Sequence, residues 1–164
     1  MKKYKMGLVI GRFQPFHYGH AYLLQKALSI ADKIIIGIGS SNIKNPDNPW
    51  SYKKRREMLD LFLEEKGIEN KISSIIALPD NPDDNVWLKK TLKKTGSINV
   101  VIGNNDWVSG IFKGANIPVV KVNHYKRGLY EGYKIRKLMR SGEKWEGRVP
   151  KILKPLLLKS LSIY

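Results

Sequence analysis

Short apolar runs alternate along the chain with stretches in which apolar residues recur every three or four positions. The runs are Met6 to Ile10, Lys33 to Gly39, Ile72 to Leu78, Val100 to Gly103 and Pro118 to Val122. They are strand-length, and the second is almost continuous in isoleucine. That is the pattern of strands buried on both faces of a parallel sheet. The stretches between them read as helices. The first starts at Tyr18 or Gly19 and puts Leu24, Ala27, Leu28 and Ala31 on one face. The second is capped by Ser51, buries Met58, Leu59, Leu61 and Phe62, and stops at Gly67 after about Lys66. A short helix is expected from about Val86 to Lys94, and another opens at Asn104-Asn-Asp-Trp107. Tyr133 to Arg140 forms the next, stopped near Gly142, and a last amphipathic helix runs from about Val149–Pro150 to near Ser160. Strands alternating with helices predict an α/β fold: an open parallel five-stranded sheet with helices on both faces and right-handed crossovers. No repeat or linker interrupts the pattern, so residues 1–164 read as a single domain whose C-terminal helices begin at about 132.

Composition narrows this picture. The chain has 164 residues, 42% of them hydrophobic, enough for one core. It has no cysteine, which excludes disulfides and thiolate metal sites. No apolar run approaches membrane-spanning length. The basic Met-Lys-Lys-Tyr-Lys start is followed only by a strand-length run, so no signal peptide is expected and a cytoplasmic location follows. The formal charge is +16, and from Lys121 to Tyr164 twelve Lys or Arg face three acidic residues. Nucleic-acid binding, a site for polyanionic nucleotides, or a solvated lysine surface would each account for the surplus. With no aromatic-interleaved basic repeat, no specific nucleic-acid partner is expected.

Open parallel sheets bind ligands outside the carboxyl ends of their strands. The loops expected there hold Arg12, His17 and His20; Ser40, Lys44 and Asn48; Asp80, Asp84, Asn85 and Trp87; Asn104 to Trp107; and His124, Lys126, Arg127 and the approach to Arg136. The first loop is the most informative. A strand, a loop opened by Gly11, and a helix N-terminus make an anion site from free backbone N–H groups and the helix dipole. Arg12 and two imidazoles would add donors, and Gly19, lacking a Cβ, would let a phosphate approach the backbone. A plainer reading is that His17 and His20 merely cap the helix.

Gly11-Arg-Phe-Gln-Pro-Phe-His-Tyr-Gly-His20 resembles the signature of the nucleotidyltransferase superfamily with the His-x-Gly-His motif. Its longer form resembles the archaeal type of nicotinamide-nucleotide adenylyltransferase. The resemblance implies a Rossmann-like sheet and transfer of AMP from ATP to nicotinamide mononucleotide (NMN), giving NAD and pyrophosphate. It implies Mg²⁺ carried in with ATP, no metal site on the protein, and a homo-oligomer, often a hexamer. An acceptor phosphate is already largely dianionic, so neither a general base nor a protein nucleophile is required. Other acceptors (FMN, a phosphopantetheine-type compound, an alcohol phosphate) and a non-catalytic nucleotide- or nucleic-acid-binding module are the alternatives.

The same resemblance assigns residues. His17, His20, Arg12 and Arg136 would be catalytic. ATP would meet Gly11, Arg12, Phe13, His20, Gly103, Asn104, Tyr133, Ile135 and Arg136. NMN would meet Phe13, Gln14, Ser40, Asp84, Asn85 and Trp87. Gly132-Tyr-Lys-Ile-Arg136 is similar to the family's Ser/Gly-Thr-x-Ile-Arg, with Tyr133 in place of the usual threonine. Asp84-Asn-Val-Trp87 is similar to its Asn-x-x-Trp, with Asp84 at the amide position. Trp87 would then stack on the pyridinium ring, and Asp84 or Asn85 would read the carboxamide. Asn48-Pro-Trp-Ser-Tyr-Lys-Lys-Arg55 is similar to a segment that implies a lid or binding loop, with Arg55 meeting a phosphate or a partner subunit. The plainer alternative there is a Pro-Trp turn packed on the core and a solvated arginine.

Overall fold

The structure, a computed structural model, describes residues 3–163. Strands and helices alternate: β1 (Tyr4–Gly11), α1 (Tyr18–Ile30), β2 (Ala31–Gly39), α2 (Tyr52–Lys66), β3 (Ile72–Leu78), α3 (Asp84–Thr95), β4 (Val100–Gly103), α4 (Asp106–Gly114), β5 (Val119–Lys121), α5 (Gly132–Ser141) and α6 (Lys154–Lys159). The five strands form one sheet in the order β3-β2-β1-β4-β5, and every pairing is parallel. The expected open α/β sheet is therefore present. Its chain order reverses at central β1, which opens a crevice between the carboxyl ends of β1 and β4.

Strand periodicity sorts the core into two halves. Val9, Ile34, Ile36, Ile38, Val100 and Ile102 face one way and pack against α1, α2, α5 and α6 through Leu24, Ala27, Met58, Leu59, Ile135 and Leu157. Leu8, Ile35 and Val101 face the other way and meet Trp87 of α3 and Val108 and Phe112 of α4. Leu8 is paired with Ile35 on one side and Val101 on the other, so these three form a row across the sheet. The near-continuous apolar strands are explained by these helices on both faces.

Three boundaries differ from the sequence expectation. Ala31 is not on the helical face but is the first residue of β2, with extended backbone. Helix α3 starts earlier than Val86, because the Asp83 carboxylate accepts hydrogen bonds from the N–H groups of Asn85 and Val86. The expected single helix from about 149 to 160 is divided into a 3₁₀ turn at Lys151–Leu153, α6, and a second 3₁₀ turn at Leu161–Ile163. Pro155 is the physical cause: it has no N–H to donate and fits only the first turn, so the helix restarts there. No helix among the described residues is long and apolar enough to cross a membrane.

Candidate active site

At the carboxyl end of β1, His17 and His20 hold each other through the backbone. His17 is the N-cap of α1, and its Nδ1 accepts from the Gly19 N–H at 3.1 Å. His20 closes the box: its Nδ1 accepts from the His17 N–H at 3.2 Å. The rings stack with centroids 3.7 Å apart. Phe13 meets His20 edge-on at 4.7 Å, and the Phe16 ring lies 5.6 Å from it. Burial, then the charges of Arg136 and His124, push the His17 pKa down to about 3. Burial and then His17 hold His20 well below its ordinary value. Both imidazoles are therefore neutral at pH 7. Since each Nδ1 accepts a backbone hydrogen bond, each proton resides on Nε2. Capping and ligand binding are thus not alternatives: the cap selects the tautomer that leaves a donor free.

Both histidines line a cavity of about 340 Å³ over the β1–β4 crevice. Gly11 borders it from the end of β1 and Arg12 from just beyond, Ser40 follows β2, Asn104 follows β4, and His124, Arg127 and Glu131 come from the segment leading into α5. Gly19 also lines it, and its missing side chain has a second consequence besides the expected access to the backbone. A Cβ on Gly19 would stand 2.8 Å from Cε1 of His17, so the missing side chain makes room for the imidazole.

On the α3–α4 side, Trp87 is buried and lines the cavity beside the half-exposed Trp107, ring centroids 5.2 Å apart. Ser40 donates through Oγ to Asp80 Oδ1 at 3.0 Å, and both line the same wall. Asp84 and Asn85 do not. They are exposed on the first turn of α3 and border a separate shallow groove with Leu88, Asp106 and Gly110. The cap at Asp83 starts the helix so that only Trp87 of this motif turns inward. Asp80, at the exit of β3, is the carboxylate that borders the cavity on this side, with Glu131 bordering it from the segment leading into α5.

Several expected ligand residues lie beneath the site instead. Phe13 is buried against His20. Gln14 is buried and its amide is spent on Trp50, Oε1 accepting from the Trp50 N–H at 3.0 Å and Nε2 donating to the Trp50 carbonyl at 2.9 Å. Trp50 Nε1 in turn donates to Ser160 Oγ at 2.9 Å. The segment expected to act as a lid is therefore pinned into the core. Ile135 is fully buried, Tyr133 is 57% exposed, and neither borders the cavity; nor does Gly103, while Asn104 beside it does. Arg136 is buried, donates from Nη1 to the Gln14 carbonyl at 2.6 Å, and lies 3.7 Å from Asp47. It supports the signature loop and adds positive charge next to His17. Arg55 is buried as well, and its guanidinium bonds backbone carbonyls of the loops after β1 and β2.

Residue-level assignment from the sequence did not single out Asp80, Trp107, His124, Arg127 and Glu131, which line the cavity, although their loops were among those expected to meet. Their shared signal was position just past a strand's carboxyl end.

A parallel α/β sheet with neutral donors gathered over its switch point defines a nucleotide-handling domain, and the wider comparisons agree. Residues 8–136 match the cytidylyltransferase-like family, and the chain belongs to that family. It is similar to the nicotinamide-nucleotide adenylyltransferase of Methanolobus tindarius, with 38% identity over 142 residues covering 86% of this chain and 80% of the relative. The enzyme of the same name from Archaeoglobus fulgidus is 36% identical over 146 residues, covering 86% of this chain and 83% of the relative. Among solved structures, the bifunctional NMN adenylyltransferase/ADP ribose pyrophosphatase of Francisella tularensis superposes with a TM-score of 0.78 at 28% identity. That match covers 90% of this chain and 45% of the bifunctional protein, so the chain spans less than half of it. The same protein solved with AMP and a manganese ion gives a TM-score of 0.74.

Proposed function

We propose that this chain transfers AMP from ATP to nicotinamide mononucleotide, forming NAD and pyrophosphate. The observation that carries the reading is the neutral His17–His20 pair, locked by backbone hydrogen bonds so that Nε2–H of each ring is the donor left over. An acceptor-phosphate oxygen forms a bond to the α-phosphorus of ATP as the bond from that phosphorus to the pyrophosphate oxygen breaks. Negative charge builds on the α-phosphate oxygens, and preorganised donors stabilise it without reorganising. His20 and His17 act there. Arg12, Arg127 and the N-terminus of α5 meet the outer phosphates and the departing pyrophosphate, while Arg136 adds charge from below. Trp87, backed by Trp107, offers a face to the positively charged ring of NMN. The Asp80–Ser40 pair is placed to read its carboxamide.

Among the described residues no three His, Asp or Glu side chains converge to hold a metal ion. A Mg²⁺ ion would enter with ATP and neutralise part of the phosphate charge. Self-association and an intracellular location belong to the same reading through the family resemblance, and light scattering tests the first. The deciding experiment is a panel of acceptors offered with ATP and Mg²⁺: NMN, nicotinic acid mononucleotide, FMN and phosphopantetheine. NAD and pyrophosphate should form in equal amounts with NMN. A faster reaction with FMN or phosphopantetheine would move the acceptor assignment.

A further inference from the structure

Arg55 is a charged side chain with no exposed surface at all. It rises from the first turn of α2 and ends beneath the exits of β1 and β2. Nη1 donates to the carbonyls of Arg12 at 2.9 Å and Gly39 at 2.7 Å, Nη2 to the carbonyl of Ser40 at 3.2 Å, and Nε to the carbonyl of Ser51 at 3.4 Å. Among the described residues, no carboxylate forms an ion pair with it. Burial, then repulsion from Arg12, lower its pKa to about 10, so it keeps its charge at neutral pH. A buried arginine spent wholly on backbone carbonyls of two different loops neither binds phosphate nor offers itself to another subunit.

What it joins is specific. Arg12 belongs to the phosphate side of the cavity. Ser40, held at a left-handed φ of 49°, belongs to the acceptor side through its bond to Asp80. We infer that Arg55 is a positioning residue that sets the spacing between the two nucleotide subsites by tying the loop after β1 to the loop after β2. This rests on the proposed nucleotidyl transfer. In-line displacement needs the two phosphates held in near-attack geometry, and a misplacement of about 1 Å costs on the order of a hundredfold in rate. A planar fork of five donors spans four carbonyls; a lysine ammonium, a point donor, does not.

The test uses Arg55→Lys, which keeps the buried charge but not the fork. We expect kcat to fall at least about tenfold, with KM for ATP and for NMN each within about threefold of wild type. Amide hydrogen exchange should accelerate together at residues 11–14 and 39–42 while α3 and α4 keep their wild-type rates. The inference is overturned if turnover is unchanged, if KM for one nucleotide rises with kcat intact, or if exchange accelerates uniformly. If the variant does not fold, the wild-type protein still decides: the two segments should open with one shared free energy, and independent opening would overturn the tie. Should the wild-type protein form no NAD from ATP and NMN, the reaction is misassigned, whereas the exchange experiment still reports on the tie itself.

Discussion

At the residue scale, His17 and Gly19 explain each other. The glycine is required because the imidazole folds back over it, and the imidazole folds back because its Nδ1 caps the helix. The sequence suggested a choice between capping and catalysis; the structure shows the cap, formed through Nδ1 of each ring, which leaves Nε2 for the proposed catalytic role. His20 stacks on this arrangement, and its Nε2–H is aimed by the same network. In His20→Ala we expect kcat to fall by roughly 10²–10³-fold with a much smaller change in ATP affinity, the usual cost of one preorganised donor; single-turnover and equilibrium-binding measurements separate the two. The buried pair also has a consequence for pH. The folded pKa of His17, about 3, lies below the ordinary 6.5, so between those values the unfolded chain holds a proton that the folded chain refuses. Stability is complete above pH 6.5 and declines as pH falls toward 3, by about 1.4 kcal/mol per pH unit for this residue. His20 acts in the same direction. Urea unfolding from pH 7 to pH 4 should show the decline. His17→Asn, which keeps a capping side chain, should flatten the slope by about one proton.

At the element scale, start points matter more than identities. Asp83 caps α3, so the helix begins with Asp84 and Asn85 on its outer side and delivers only Trp87 to the cavity. Motif spacing offered Asp84 or Asn85 to read the acceptor; in the proposed reaction that role belongs instead to Asp80, which lies just past the end of β3, borders the cavity and accepts from Ser40. Its negative charge would repel the carboxylate of nicotinic acid mononucleotide. Asp80→Asn should narrow the preference for NMN over that acid, measured as the ratio of kcat/KM values. Asp84→Asn should leave the ratio at its wild-type value. Equal effects of the two substitutions would return the role to the helix. The segment around Trp50 shows the same principle. Its polar, proline-rich composition reads as a loop free to move, but Gln14 grips both its N–H and its carbonyl.

At the scale of the whole molecule, the charge of +16 comes with no aromatic-interleaved basic repeat in the sequence. We expect double-stranded DNA to bind weakly, without sequence preference, and with affinity that falls steeply from 50 to 200 mM salt; fluorescence anisotropy with two unrelated duplexes checks this. Sequence-selective binding at physiological salt would instead make the charge functional. The five strands, their parallel sense and the gathering of His17, His20, Arg12, Ser40, Asn104 and Trp87 at one sheet edge were legible in the sequence, because hydrophobic period and loop position are local properties. Which side chains of that edge face the cavity was not. Gln14, Phe13, Ile135 and Arg136 carry ligand-like positions in the motifs yet are buried beneath the site, and Asp80 borders the cavity while Asp84 does not, although both follow the same strand. Those outcomes depend on partners more than thirty residues away, such as Trp50 for Gln14 and Gln14 for Arg136. A chain written in one dimension specifies its elements through neighbours at fixed spacing; only packing those elements together decides which polar group is spent on the protein and which is left for a ligand.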